Sequence, residues 1–143
     1  MIVTYRTNIS VFLPNGPPNP LLDAYRILVA IELALKDGGC TGGHDIPSML
    51  AQAATRHPIL ARQLNGHQAK LSADLRQLIC NSTMGQPVPV LPNNYPHIRY
   101  TRFTGDWNSV NETPTQSLTV LAQTCNSLLA DLKTHQATLG IQL

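Results

Sequence analysis

Between Tyr95 and Trp107 the chain collects its densest set of chemically capable side chains. Arg99, Tyr100, Arg102, Phe103 and Trp107 place guanidinium groups beside flat aromatic rings. Those two ingredients hold a nucleotide or single-stranded nucleic acid, through phosphate contact and base stacking. In the competing and preferred reading, Tyr100, Phe103 and Trp107 pin the loop over helix ends, and the arginines are solvated or pair with Asp106 and Glu112. These rings supply bulk that a helical core would otherwise lack. His44-Asp45 has the residue types of an acid–base pair. An aspartate directly before a helical pattern is also a natural N-cap, because its carboxylate accepts free N–H groups of the first turn; the cap reading is favoured, with His44 held in the turn. Cys40, His44 and His57 are metal-ligand types, but their loose spacing does not make a site. No metal or other cofactor is expected.

Helices must position these residues. Leu28, Ile31 and Leu35, extended by Leu21, Ala24 and Tyr25, recur at helical spacing and predict a helix over 21–37, with Asn19 as cap and Pro20 at a tolerated first position. Gly38-Gly39 stops it. Asp45 opens a second helix over 46–56, with Pro47 in its first turn. Leu60, Leu64, His67, Leu71, Leu75 and Leu78 step by three and four, which predicts a third helix from Pro58 to Cys80. Residues 81–96 contain four prolines and read as an irregular crossover. Thr113-Pro114-Thr115-Gln116 is a capping box for a last helix carrying Leu118, Leu121, Ala122, Cys125, Leu128, Leu129 and Leu132 on one stripe. Cys80 and Cys125 read as small core residues on helical faces. The fold class is therefore all-α, an up-and-down bundle of four or five helices. Residues 1–20 form an N-terminal arm and Pro-rich connector, and 21–143 form a single domain.

At 143 residues, the chain has about one domain's worth of material. A charged fraction of only 13% leaves a lightly charged surface, which favours association with a copy of itself or with another protein. A net charge of +2 is too small to attract nucleic acid by bulk field, so any such binding must come from a local patch. No apolar run approaches the roughly 20 residues of a membrane span, and Met1–Pro14 lacks the layout of a signal peptide; the expected location is the cytoplasm. Three scattered cysteines then read as reduced thiols.

The order IELALKDGG, GGHDIPSML, a long helix, NYPHIRY and a final amphipathic helix resembles the HEPN superfamily of helical domains. Glu32-Leu33-Ala34-Leu35-Lys36, His44-Asp45-Ile46 and Tyr95 through Arg99-Tyr100 match runs found in one branch of it, and the resemblance covers about residues 21–133. It implies a homodimer or a protein partner, such as the small nucleotidyltransferases that many HEPN proteins accompany. It also implies a metal-independent endoribonuclease of toxin or defence type, in which Arg62 and His67 supply the family's Arg-x(4–6)-His motif. A histidine would move the ribose 2′-hydroxyl proton and an arginine would neutralise the phosphate. Against catalysis, residues five apart on a helix lie about 140° out of phase, and Gln63 replaces the usual Asn or Asp after the arginine. The leading expectation is a non-catalytic HEPN-like binding module, with Arg99, Tyr100, Arg102, Trp107, His44 and Asp45 as its binding residues.

Overall fold

The computed structural model describes residues 20–81, 87–100 and 115–143. Helix α1, Pro20–Asp37, buries Leu21, Ala24, Ile27, Leu28, Ile31 and Leu35 together with small Ala30 and Ala34. Small residues between large ones let neighbours approach from more than one side. Accordingly α1 packs against helix α2 (Ile46–Arg56), helix α4 (Thr115–Thr134) and a 3₁₀ turn at Tyr95–Tyr100. Each of its large apolar side chains contributes about 1.5–3 kcal/mol through burial.

Helix α1 ends as its glycines require. The Cys40 N–H donates to Leu35 O at 2.9 Å and the Gly39 N–H to Lys36 O at 3.0 Å, with Gly39 at φ 100. This is the paired C-terminal cap that needs a positive-φ residue. Asp45 caps α2, its Oδ1 accepting the Ser48 N–H at 3.0 Å.

The third helix is shorter than its leucine spacing predicts. The chain enters it through a 3₁₀ turn, Pro58–Leu60, runs as helix α3 over Ala61–Arg76, and then leaves for a strand. Leu78 and Cys80 are buried with Ile79 only partly so, a period of two. The step of three from Leu75 to Leu78 still fits a helix although Leu78 lies beyond it, which is why the helix pattern overruns. Cys80 accordingly lies in strand β1, Ile79–Asn81, and not on a helical face. The expected irregular crossover likewise contains strand β2, Pro87–Pro89, antiparallel to β1 with Ile79 opposite Pro89. The Val90 N–H donates to Leu78 O at 3.0 Å; antiparallel alternation then sets Pro87 and Pro89 at positions whose N–H would point away from β1. Two prolines cost this ladder no donor.

Beyond α4 lies a further single-turn helix, α5 (Gln136–Leu139), closed by Gly140 at φ 67. The last residues return to α1, where a Cβ on Gly38 would stand 2.7 Å from Ile141 Cγ2. The described residues form one all-α bundle with a minimal sheet, around a single apolar cluster. Among them no helix is long and apolar enough to cross a membrane. The N-terminal arm, Asn19 and the Thr113-Pro114 half of the capping box lie outside the described residues.

Candidate functional site

Glu32 is the one acidic residue of α1 that faces the core. It falls four residues after Leu28 and three before Leu35, on the buried side, and is only 6% exposed. A carboxylate there must find partners or lose heavily to desolvation. It finds two. The His44 ring nitrogen Nδ1 lies 2.6 Å from Oε1, and Lys36 Nζ lies 3.3 Å from Oε2.

The turn that delivers His44 is tied down from α2. The Gln52 side chain donates to Thr41 O at 2.7 Å and accepts the Thr41 N–H at 3.0 Å. The Arg56 guanidinium donates to Gly39 O at 2.8 Å and Gly38 O at 3.3 Å, where α1 leaves carbonyls unpaired. Tyr95, buried at the start of the 3₁₀ turn, meets the His44 ring edge-on at 5.7 Å between centroids and packs against Tyr25 at 6.2 Å. The His44 side chain nevertheless remains 54% exposed. With Nδ1 engaged by Glu32, Nε2 makes no hydrogen bond to the described residues. A buried carboxylate fixing one ring nitrogen leaves the other as a preset contact: an acceptor when the ring is neutral, a donor when it is protonated. A shallow depression lined by Lys36, Gly39, Cys40 and Thr41 adjoins this corner.

Arg62 and His67 are disposed differently. Helix α3 continues unbroken through Gly66, so the two residues lie about 140° apart around its axis. Arg62 is exposed, whereas His67 reaches α4, with Nε2 2.8 Å from Asp131 Oδ2. His135 approaches the other oxygen of Asp131 at 3.5 Å. Two turns along α3 from His67, buried Asp74 accepts from Lys70 at 2.9 Å and from the Thr124 hydroxyl. A shallow groove beside these groups is lined by His67, Lys70, Thr124 and Ser127. Within one chain, Arg62 and His67 therefore do not converge on a common face.

Asp45 is occupied as the α2 cap. Burial pushes all three thiols above the ordinary range: Cys40 against the opposing pull of Arg56, Cys80 against a backbone hydrogen bond, and Cys125 with a further push from Asp74. Thiols held protonated in this way are poor nucleophiles and poor metal ligands. Among the described residues no three His, Cys, Asp or Glu side chains are gathered to hold a metal ion.

Of the basic-aromatic stretch, the backbone of Arg99 and Tyr100 completes the 3₁₀ turn whose first residue touches His44. Arg102, Phe103 and Trp107 lie outside the described residues. Sequence reading passes over Glu32 as a partner of His44, although a lone carboxylate on a leucine stripe is the signal that something must answer it. A scan against known protein families finds no matching model, and searches of curated proteins and of solved structures find no match.

Proposed function

We propose that this chain is a HEPN-like, up-and-down helical module that binds single-stranded RNA or a nucleotide and does not cleave it. It would work in the cytoplasm, as a homodimer or with a protein partner. The observation that carries this reading is the meeting of Glu32, His44 and Tyr95. Each comes from a different one of the three stretches on which the resemblance rests. Their meeting anchors one end of the Tyr95–Tyr100 turn against α1, so that Arg99 and the residues after it leave from a fixed base. A small nucleotidyltransferase as partner rests on the family analogy alone.

The second reading is an endoribonuclease acting through Arg62 and His67 across a dimer cleft. It is supported by the literal Arg-x(4)-His match and by the groove beside His67. The engagement of His67 by Asp131 and the exposure of Arg62 on another side of α3 favour binding over cleavage.

One experiment separates the two. The purified full chain is incubated with a labelled single-stranded RNA in chelator, and binding and cleavage are followed together. The proposal expects binding with intact RNA, and binding weakened about tenfold by Trp107→Ala through loss of base stacking. RNA cleavage that disappears in His67→Ala would establish the nuclease reading in its place.

A further inference from the structure

We infer that the outer face of α3 is a docking surface for an acidic, amphipathic helix of a partner protein. This rests on the reading that the chain works with a protein partner, and it does not depend on RNA binding.

Leu64, Leu71 and Leu75 turn one side of α3 into the bundle, and the opposite side carries Arg62, Gly66, Ala69, Ala73 and Arg76. At the helical repeat these five fall within about 80° of arc, and all five are exposed. Ile59, in the 3₁₀ turn that precedes the helix, extends the line by one turn and is 86% exposed. The face is therefore apolar and low along its middle, with a guanidinium toward each end. A large apolar side chain left this far in solvent beside a row of small ones suits a contact surface better than a solvated helix back.

Gly66 points the same way. It lies inside α3 without a positive φ, and a Cβ placed on it would meet nothing within 4 Å. Glycine at such a position weakens a helix relative to alanine, and no contact among the described residues calls for it. What it offers is bare backbone that a second helix can approach closely, since the distance between packed helices is set by the side chains at their contact.

Charge identifies the occupant. Neither Arg62 nor Arg76 makes a hydrogen bond or ion pair with the described residues. The only carboxylate of α3, Asp74, is buried and already answered by Lys70 and Thr124. The face thus presents two unanswered positive charges, about 21 Å apart along the axis, and no negative one. Its complement is a helix with small or aliphatic side chains on one face and a carboxylate toward each end. A second copy of α3 would set arginine against arginine in either direction, which is unfavourable. Nucleic acid matches less well, because the face has no aromatic ring for stacking and its two cations are separated by apolar residues.

The probe is a synthetic helical peptide of about 22 residues, long enough to span both arginines. Alanine and leucine form one face of it between two glutamates, and a control peptide carries lysine at both glutamate positions. Binding to the full chain is followed by fluorescence anisotropy. The glutamate peptide is expected to bind and the lysine peptide to fail. In Arg62→Glu/Arg76→Glu the preference should reverse, with at least a tenfold loss for the glutamate peptide and a gain for the lysine peptide; a gain of binding cannot come from unfolding. Gly66→Gln should raise the Tm of the free chain and weaken the glutamate peptide about tenfold, two effects of opposite sign that a merely structural glycine would not give. A wild-type chain that does not bind the glutamate peptide, or binds it as well after charge reversal, would overturn the inference. So would loss of RNA binding in the charge-reversed variant, which would make the face a nucleic-acid surface. A chain that binds the glutamate peptide and no RNA would uphold the inference while the RNA reading fell.

Discussion

Glu32 is the residue on which the corner depends, because its burial is unfavourable unless both carboxylate oxygens are answered. Replacing it by Gln keeps the shape and removes the charge that Lys36 and His44 answer. Glu32→Gln is expected to lower stability by about 1–2 kcal/mol, read as a shift in the urea midpoint. In a double-mutant cycle with His44→Ala the coupling should be about 1 kcal/mol, at the modest end because the histidine is more than half exposed. Additive effects would show that the 2.6 Å contact contributes nothing. The buried thiols make a separate prediction about pH. Cys40, Cys80 and Cys125 have their pKa values raised by burial, so in the unfolded chain they ionise first, near pH 8.5. The unfolded state then releases protons that the native state retains. Stability attributable to the thiols is thus complete below about pH 8.5 and is lost as pH rises above it. Thermal melts between pH 7 and 10 should show a falling Tm with a slope shallower in Cys125→Ala; an identical slope would contradict the assignment. His44 and Tyr95 stand out in the sequence by type, but their meeting does not. Nothing in a single sequence says that the turn at 95–100 folds back onto α1, whereas the buried position of Glu32 is written in the leucine spacing around it.

At the scale of elements, helix caps and glycines govern how the corner is set. Gly39 holds a φ of 100 that an L side chain adopts only under strain, and Gly39→Ala is expected to cost about 1–3 kcal/mol. Gly38 is different, since its restriction is spatial. A methyl group there would meet Ile141, so Gly38→Ala should destabilise by about 1–3 kcal/mol through overpacking in the wild type. In an Ile141→Ala background the penalty should nearly vanish; if it persists, the C-terminal segment does not dock on α1 as described. Helices α1 and α2 are legible almost to the residue, because a proline start and a glycine stop bracket α1, and the Asp45 cap and Pro58 bracket α2. The end of α3 was not, because Leu75, Leu78 and Cys80 satisfy helical and alternating patterns in turn. Strand β2 was invisible for another reason. Three residues of which two are proline carry no strand signal, yet the register lets Pro87 and Pro89 sit where no donor is needed. The same placement removes N–H donors from the outer edge of β2, which blunts it against pairing with another strand.

For the whole molecule, one apolar cluster with α1 at its centre makes the chain a single unit among the described residues, and the all-α class follows from helical periodicity in four separate stretches. The low charged fraction fits a surface that meets partners. Exposed Ile59 at the α2–α3 elbow and exposed Leu91 after β2 are consistent with such a surface. The candidate site was less legible than the fold. Its residues come from α1, the glycine turn and the 95–100 segment, and only tertiary packing joins them. The central claim, a helical module that binds RNA without cutting it, is tested most directly by titrating labelled single-stranded RNA with the full chain and with Arg99→Glu, in chelator, at two salt concentrations. The account predicts saturable binding to intact RNA that weakens as salt is raised, and at least a tenfold loss in a folded Arg99→Glu variant. A folded wild-type chain that binds no RNA, or that binds it equally well with the arginine reversed, would contradict it.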